Sequence, residues 1–70
     1  MQLSSQGVVV ALERITIHGQ PNFAIRFRLD GSANVQEARL AAESVRGNPG
    51  AGDRIVVKLV LGEAFEVRKA

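Results

Sequence analysis

The sequence predicts an α+β fold of ββαββ type: a four-stranded antiparallel sheet made of two hairpins, with the helix between them packed on one face. Three observations lead there. "FAIRFRLD" (23–30) alternates Phe23, Ile25, Phe27 and Leu29 with Ala24, Arg26, Arg28 and Asp30, the period of a half-buried strand. "RIVVKLVL" (54–61) alternates in the same way, with Ile55, Val57, Leu59 and Leu61 on the core face. Between them, "NVQEARLAAESVRG" (34–47) is bounded like a helix, with Asn34 as N-cap, Glu37 as its capping-box partner, and Gly47 followed by Pro49 as the stop.

The elements follow in chain order. "GVVVALERITI" (7–17) is rich in β-branched residues and reads as the first strand. Val8, Val10 and Leu12 share one face and Ile15 and Ile17 the other, so burying both sets requires a bulge, expected near Glu13 and Arg14. "HGQPN" supplies the turn into strand 23–30. The helix is expected over 35–46, with Val35, Ala38, Ala41, Ala42 and Val45 on its sheet-facing side and Leu40 among the remaining residues. Arg39 and Glu43 stand four apart and are expected to pair. After the loop "GNPGAGD", strand 54–61 turns at Gly62 and Glu63 into "AFEVRKA", with Phe65 and Val67 inward. A small barrel of the OB type is the runner-up, and it needs another strand between residues 31 and 40.

Seventy residues make one domain, 1–70, with a core so thin that oligomerisation is an expected source of stability. The chain has no Cys, no apolar run long enough for a membrane span and no signal-peptide order in "MQLSSQG", so a cytoplasmic protein without a membrane partner is expected. A net charge of +2 is only mildly basic, although seven of the nine cations are Arg, the residue suited to bidentate phosphate or carboxylate contacts.

Little here is equipped for catalysis. His18 is the single histidine and reads as an exposed turn residue; with no Cys, neither a metal ligand set nor a nucleophile with its base is supplied. Glu63 and Glu66 lack an apolar pocket that would raise a carboxyl pKa. "GNPGAGD" ends a helix rather than opening one, which is the wrong polarity for a phosphate loop. No catalytic residue, cofactor, metal or small-molecule substrate is expected.

The face opposite the helix is the expected working surface. It carries Ala24, Arg26, Arg28, Arg54, Val56, Lys58, Val60 and Arg68, with Val9 and Ala11 as possible additions. Val56 and Val60 among the charges suggest a seam between copies of the chain, hence a non-enzymatic, homo-oligomeric assembly module. The alternative is a small nucleic-acid-binding protein using Arg26, Arg28, Arg54, Lys58 and Arg68, although the face offers no aromatic for base stacking.

From Phe23 onward, Asn48, Pro49 and Gly50, the strand from Ile55 and "LGEAFEV" (61–67) resemble the C-terminal tail module of bacterial DNA polymerase III alpha subunits over residues 23–70. The family's upstream OB domain and an extra hairpin strand have no counterpart here. "GQPNFAI" (19–25) and "VQEAR" (35–39) are similar to the N-terminal domain of magnesium-chelatase-like competence ATPases, without that family's turn motif or ATPase. The polymerase resemblance implies a DNA-replication role as a non-catalytic replisome contact.

Overall fold

One strand of 16 residues organises the sheet. In the computed structural model, which describes residues 2–70 with side chains from Leu3 onward, β1 (Gln2–Ile17) is shared between two partners. Its first half, Gln2 to Val8, pairs antiparallel with β5 (Arg54–Val60), and its second half, Gly7 to Ile17, pairs antiparallel with β2 (Gln20–Leu29). Two shorter strands, β3 (Gln36–Ala41) and β4 (Val45–Arg46), follow β2, and β6 (Glu63–Lys69) follows β5. The order is β3-β2-β1-β5-β6-β4 in one six-stranded sheet, antiparallel except where β4 runs parallel to β6. The sheet is curled, so that β3 and β6 touch although three strands separate them in the order.

The core lies inside the curl. Val9, Ile25, Phe27, Leu40, Ile55, Val57, Leu59 and Val67 are buried, with Leu12, Leu29, Ala38, Val45 and Ala64 packed against them. Ile25, Phe27, Ile55, Val57, Leu59 and Val67 are the inward residues that strand alternation predicts. Gly7 is needed where β1 crosses β2, because a Cβ there would run into the carbonyl of Arg28.

The expected ββαββ fold is wrong in its middle: among the described residues there is no α-helix, and the sheet has six strands rather than four. Residues 36–46 form β3, a three-residue 3-10 turn (Ala42–Ser44) and β4. The physical reason is Leu40. On a helix it falls off the small-residue face, whereas strand alternation sets it inward with Ala38, where it is 7% exposed and lies opposite Phe23. Tertiary burial outweighs the helix propensity of a segment too short to be helical alone. The capping box does not form; the backbone N–H of Asn34 donates to the Ser32 hydroxyl at 3.2 Å. Arg39 and Glu43 are not an ion pair either. The strand that the barrel runner-up required between 31 and 40 is present as β3.

Two bulges account for the other differences. The register of β1 against β2 slips between Val9 and Ala11, not near Glu13 and Arg14. Val9, expected as a possible outward residue, is therefore buried, Leu12 packs half-buried against the core, and Val10 is exposed. In the second hairpin Lys58 faces Glu66 and Leu59 faces Ala64, which leaves Phe65 unpaired and 39% exposed rather than inward. The turn is at Leu61 and Gly62, one residue earlier than expected, so Leu61 leaves the core as well.

Candidate functional site

Alternation in β5 buries Ile55, Val57 and Leu59 and so turns Arg54, Val56, Lys58 and Val60 to the outer face of the curl. The registers extend that face. Arg28 and Arg54 flank Val8 on either side, Arg68 stands opposite Val56, and Arg26 lies between Ala11 and Glu37. All five cations singled out in the sequence thus share one face.

They are not equivalent. Arg54 donates bidentately to Asp30, at 2.9 and 2.6 Å, and also to the Gln6 side-chain oxygen at 3.2 Å. This bond holds the Asp30 carboxyl below the usual carboxylate range and raises Arg54 in turn. Lys58 pairs with Glu66 at 3.2 Å, and Arg46 approaches the same carboxylate at 4.0 Å. Among the described residues Arg26, Arg28 and Arg68 have no ion-pair partner and are exposed. Val56, half-buried between Gln6 and Arg68, offers less apolar surface than Val60, which is 41% exposed.

A second surface was not foreseen. Leu3, Val60, Leu61 and Phe65 are 56, 41, 89 and 39% exposed, and the registers collect them at one end of the sheet: Leu3 pairs with Leu59, next to Val60, and Phe65 bulges from β6 beside the turn. Isolated exposed apolar residues are ordinary; here four of them share one end of the sheet, Leu3 on the inner face opposite Leu59 and Val60 on the outer face. Leu61 also adopts φ of +52°, in the left-handed region that disfavours a bulky side chain. At this same end is a cleft of about 300 Å³, lined by residues 36–39 of β3, residues 62–64 of the β5–β6 turn, and Phe27. Val35, just before β3, is 45% exposed.

The cleft exists because the curl does not close. Among the described residues β3 pairs with β2 alone and β4 covers β6 only at Val67 and Arg68, so two strand edges border the gap. The signal for Leu61 was legible in hindsight: a two-residue turn with Gly at its second position takes in residue 61. Nothing in the pattern marked the bulge at Phe65, because Phe65 and Val67 alternate without a break of phase. Among the described residues, no group of three or more His, Asp or Glu side chains is placed to hold a metal ion. His18 sits exposed in the β1–β2 turn. Comparison with family models, with curated proteins and with solved structures finds no match.

Proposed function

We propose that this chain is a non-enzymatic assembly module that works as a homo-oligomer, with its contact surface at the β5–β6 hairpin end. The observation that carries the reading is Leu61. A leucine in the left-handed region costs about 1–2 kcal/mol, and this one is 89% exposed, so the free chain gains nothing in return. Burial against another molecule returns roughly 1.5–3 kcal/mol for a side chain of this size. Leu3, Val60 and Phe65 lie at the same end. Val60 remains from the expected seam; Val56 contributes less.

Light scattering tests the reading. Wild-type chain is expected at a multiple of 7.5 kDa, and Val60→Lys combined with Leu61→Lys at 7.5 kDa with an unchanged far-UV spectrum. A wild-type chain that stays monomeric at high concentration sinks the proposal.

A second reading, nucleic-acid binding, is favoured by one observation: among the described residues Arg26, Arg28 and Arg68 are exposed and unpaired on a single face. Three phosphate contacts predict a log-log salt slope of about −2 for single-stranded DNA. Affinity that ignores salt, or that survives changing all three to Gln, rules it out.

A further inference from the structure

We infer that β3 pairs antiparallel with β3 of a second copy, about a twofold axis through Ala38. The inference rests on the homo-oligomer reading and specifies its contact. β3 is the edge of the sheet, and its outer side has no ladder partner among the described residues. Such an edge is a template for another strand. What selects a second copy is the charge pattern along it.

Glu37 and Arg39 both point to the outer face, opposite Arg26 and Ala24 of β2, and neither is in an ion pair among the described residues. Pairing about Ala38 sets Glu37 opposite the partner's Arg39 and Arg39 opposite the partner's Glu37, so each dimer gains two opposite-charge cross-strand pairs. Glu37 then lies between Arg26 of its own chain and the partner's Arg39, in a row of alternating sign. On the inner face Ala38 meets the partner's Ala38, and Gln36 meets the partner's Leu40. Exposed Val35 comes opposite the partner's Ala41.

Neighbouring registers fail on the same residues. An axis one residue earlier sets Glu37 against the partner's Glu37; one residue later, it sets Arg39 against the partner's Arg39. Like charges directly opposite are destabilising. The pattern Glu-Ala-Arg is therefore self-complementary in one register only, as an isologous interface requires. The cleft borders this edge, with the β5–β6 turn as its other wall, so a partner paired on β3 lies next to the apolar hairpin end.

Charge reversal tests this directly, with dimer dissociation followed by sedimentation. Glu37→Arg and Arg39→Glu are each expected to weaken the dimer by about tenfold or more, since each turns two attractive pairs repulsive. Combining both substitutions in one chain restores the opposite-charge pairs and is expected to recover wild-type affinity. An equimolar mixture of the two single variants is expected to form a heterodimer, because the two cations of one copy then face the two carboxylates of the other. The mixture also covers the case in which the combined variant folds poorly. A stable wild-type oligomer indifferent to both single reversals overturns the strand pairing and leaves assembly through the hairpin end standing. Weakening by both singles with recovery in neither the combined variant nor the mixture also overturns the pairing. A monomeric wild-type chain overturns both.

Discussion

The two hairpins β1–β2 and β5–β6 solve the same backbone problem and use their side chains differently. Each closes with a two-residue turn in which both residues have positive φ: +50° and +76° at His18 and Gly19, +52° and +80° at Leu61 and Gly62. These values are of the mirror-image kind that matches strand twist, and each hairpin also contains one bulge. The first turn carries a histidine, one of the types enriched in the left-handed region; the second carries a leucine, which is not. Backbone geometry explains the glycines in both. Only the second leaves an apolar side chain in water with no return inside the chain, and that asymmetry is the reason for placing the proposed contact surface at the second hairpin.

The comparison can be broken most severely through the bulges. Deleting Val10 removes the bulge of β1: Ala11 then follows Val9 in unbroken alternation, Val9 and Leu12 both stay inward, and what is lost is the added twist at the point where Val9 bonds to Gly52 and Asp53. A lower urea midpoint with a transition that stays cooperative is expected. Deleting Phe65 should be milder, because only Glu63 and Ala64 precede it in β6; equal loss in the two deletions would show that the hairpins are not distinguished in this way.

The turns give a smaller and sharper contrast. Gly19→Ala and Gly62→Ala should each cost about 1–2 kcal/mol, since the backbone demand is the same. His18→Asn should stay within about 0.5 kcal/mol, whereas Leu61→Asn should stabilise the monomer by about 1 kcal/mol while weakening self-association. Thermal melts and light scattering on the same four variants read both quantities. If Leu61→Asn leaves the oligomer intact, the hairpin-end surface is misplaced.

The smallest effect lies between the hairpins, where Asp30 and Arg54 tie the end of β2 to the start of β5. Asp30 is held below its ordinary value of 3.8, so its contribution is present above that pH and disappears as pH falls through the lowered value. Both side chains are about half exposed, at 52 and 49%, so screening keeps the contribution modest. Urea midpoints should drop slightly more between about pH 5 and about pH 3 for wild type than for Asp30→Asn; identical slopes would show the pair to be inert.

How much was legible follows from where periodicity holds. Ile25, Phe27, Ile55, Val57 and Leu59 alternate without interruption, and a strand with one buried face leaves that mark in any sequence. Residues 36–46 carry two marks at once: helix formers throughout, and the alternation of Gln36, Ala38 and Leu40. What decides between them is Phe23 and Ile25 on the neighbouring strand, which local pattern does not contain. The bulges at Val10 and Phe65 were legible as a need in the first case, where the alternation changes phase, and not at all in the second, where Phe65 and Val67 alternate without a break. The five cations were placed on one face by simple alternation, but their division into paired and free depends on Asp30 and Glu66 arriving from other elements.

The three residues Ala42–Ser44 link β3, on one rim of the sheet, to β4, on the opposite rim. So short a strap ties the two rims together and cannot lengthen, which means the sheet has no way to flatten while β4 stays bound to β6. The two-residue parallel ladder at Val45 and Arg46 is thus a clasp on the whole curvature. Amide exchange at those two positions would register any partner that spreads the rims apart, long before the buried strands themselves responded.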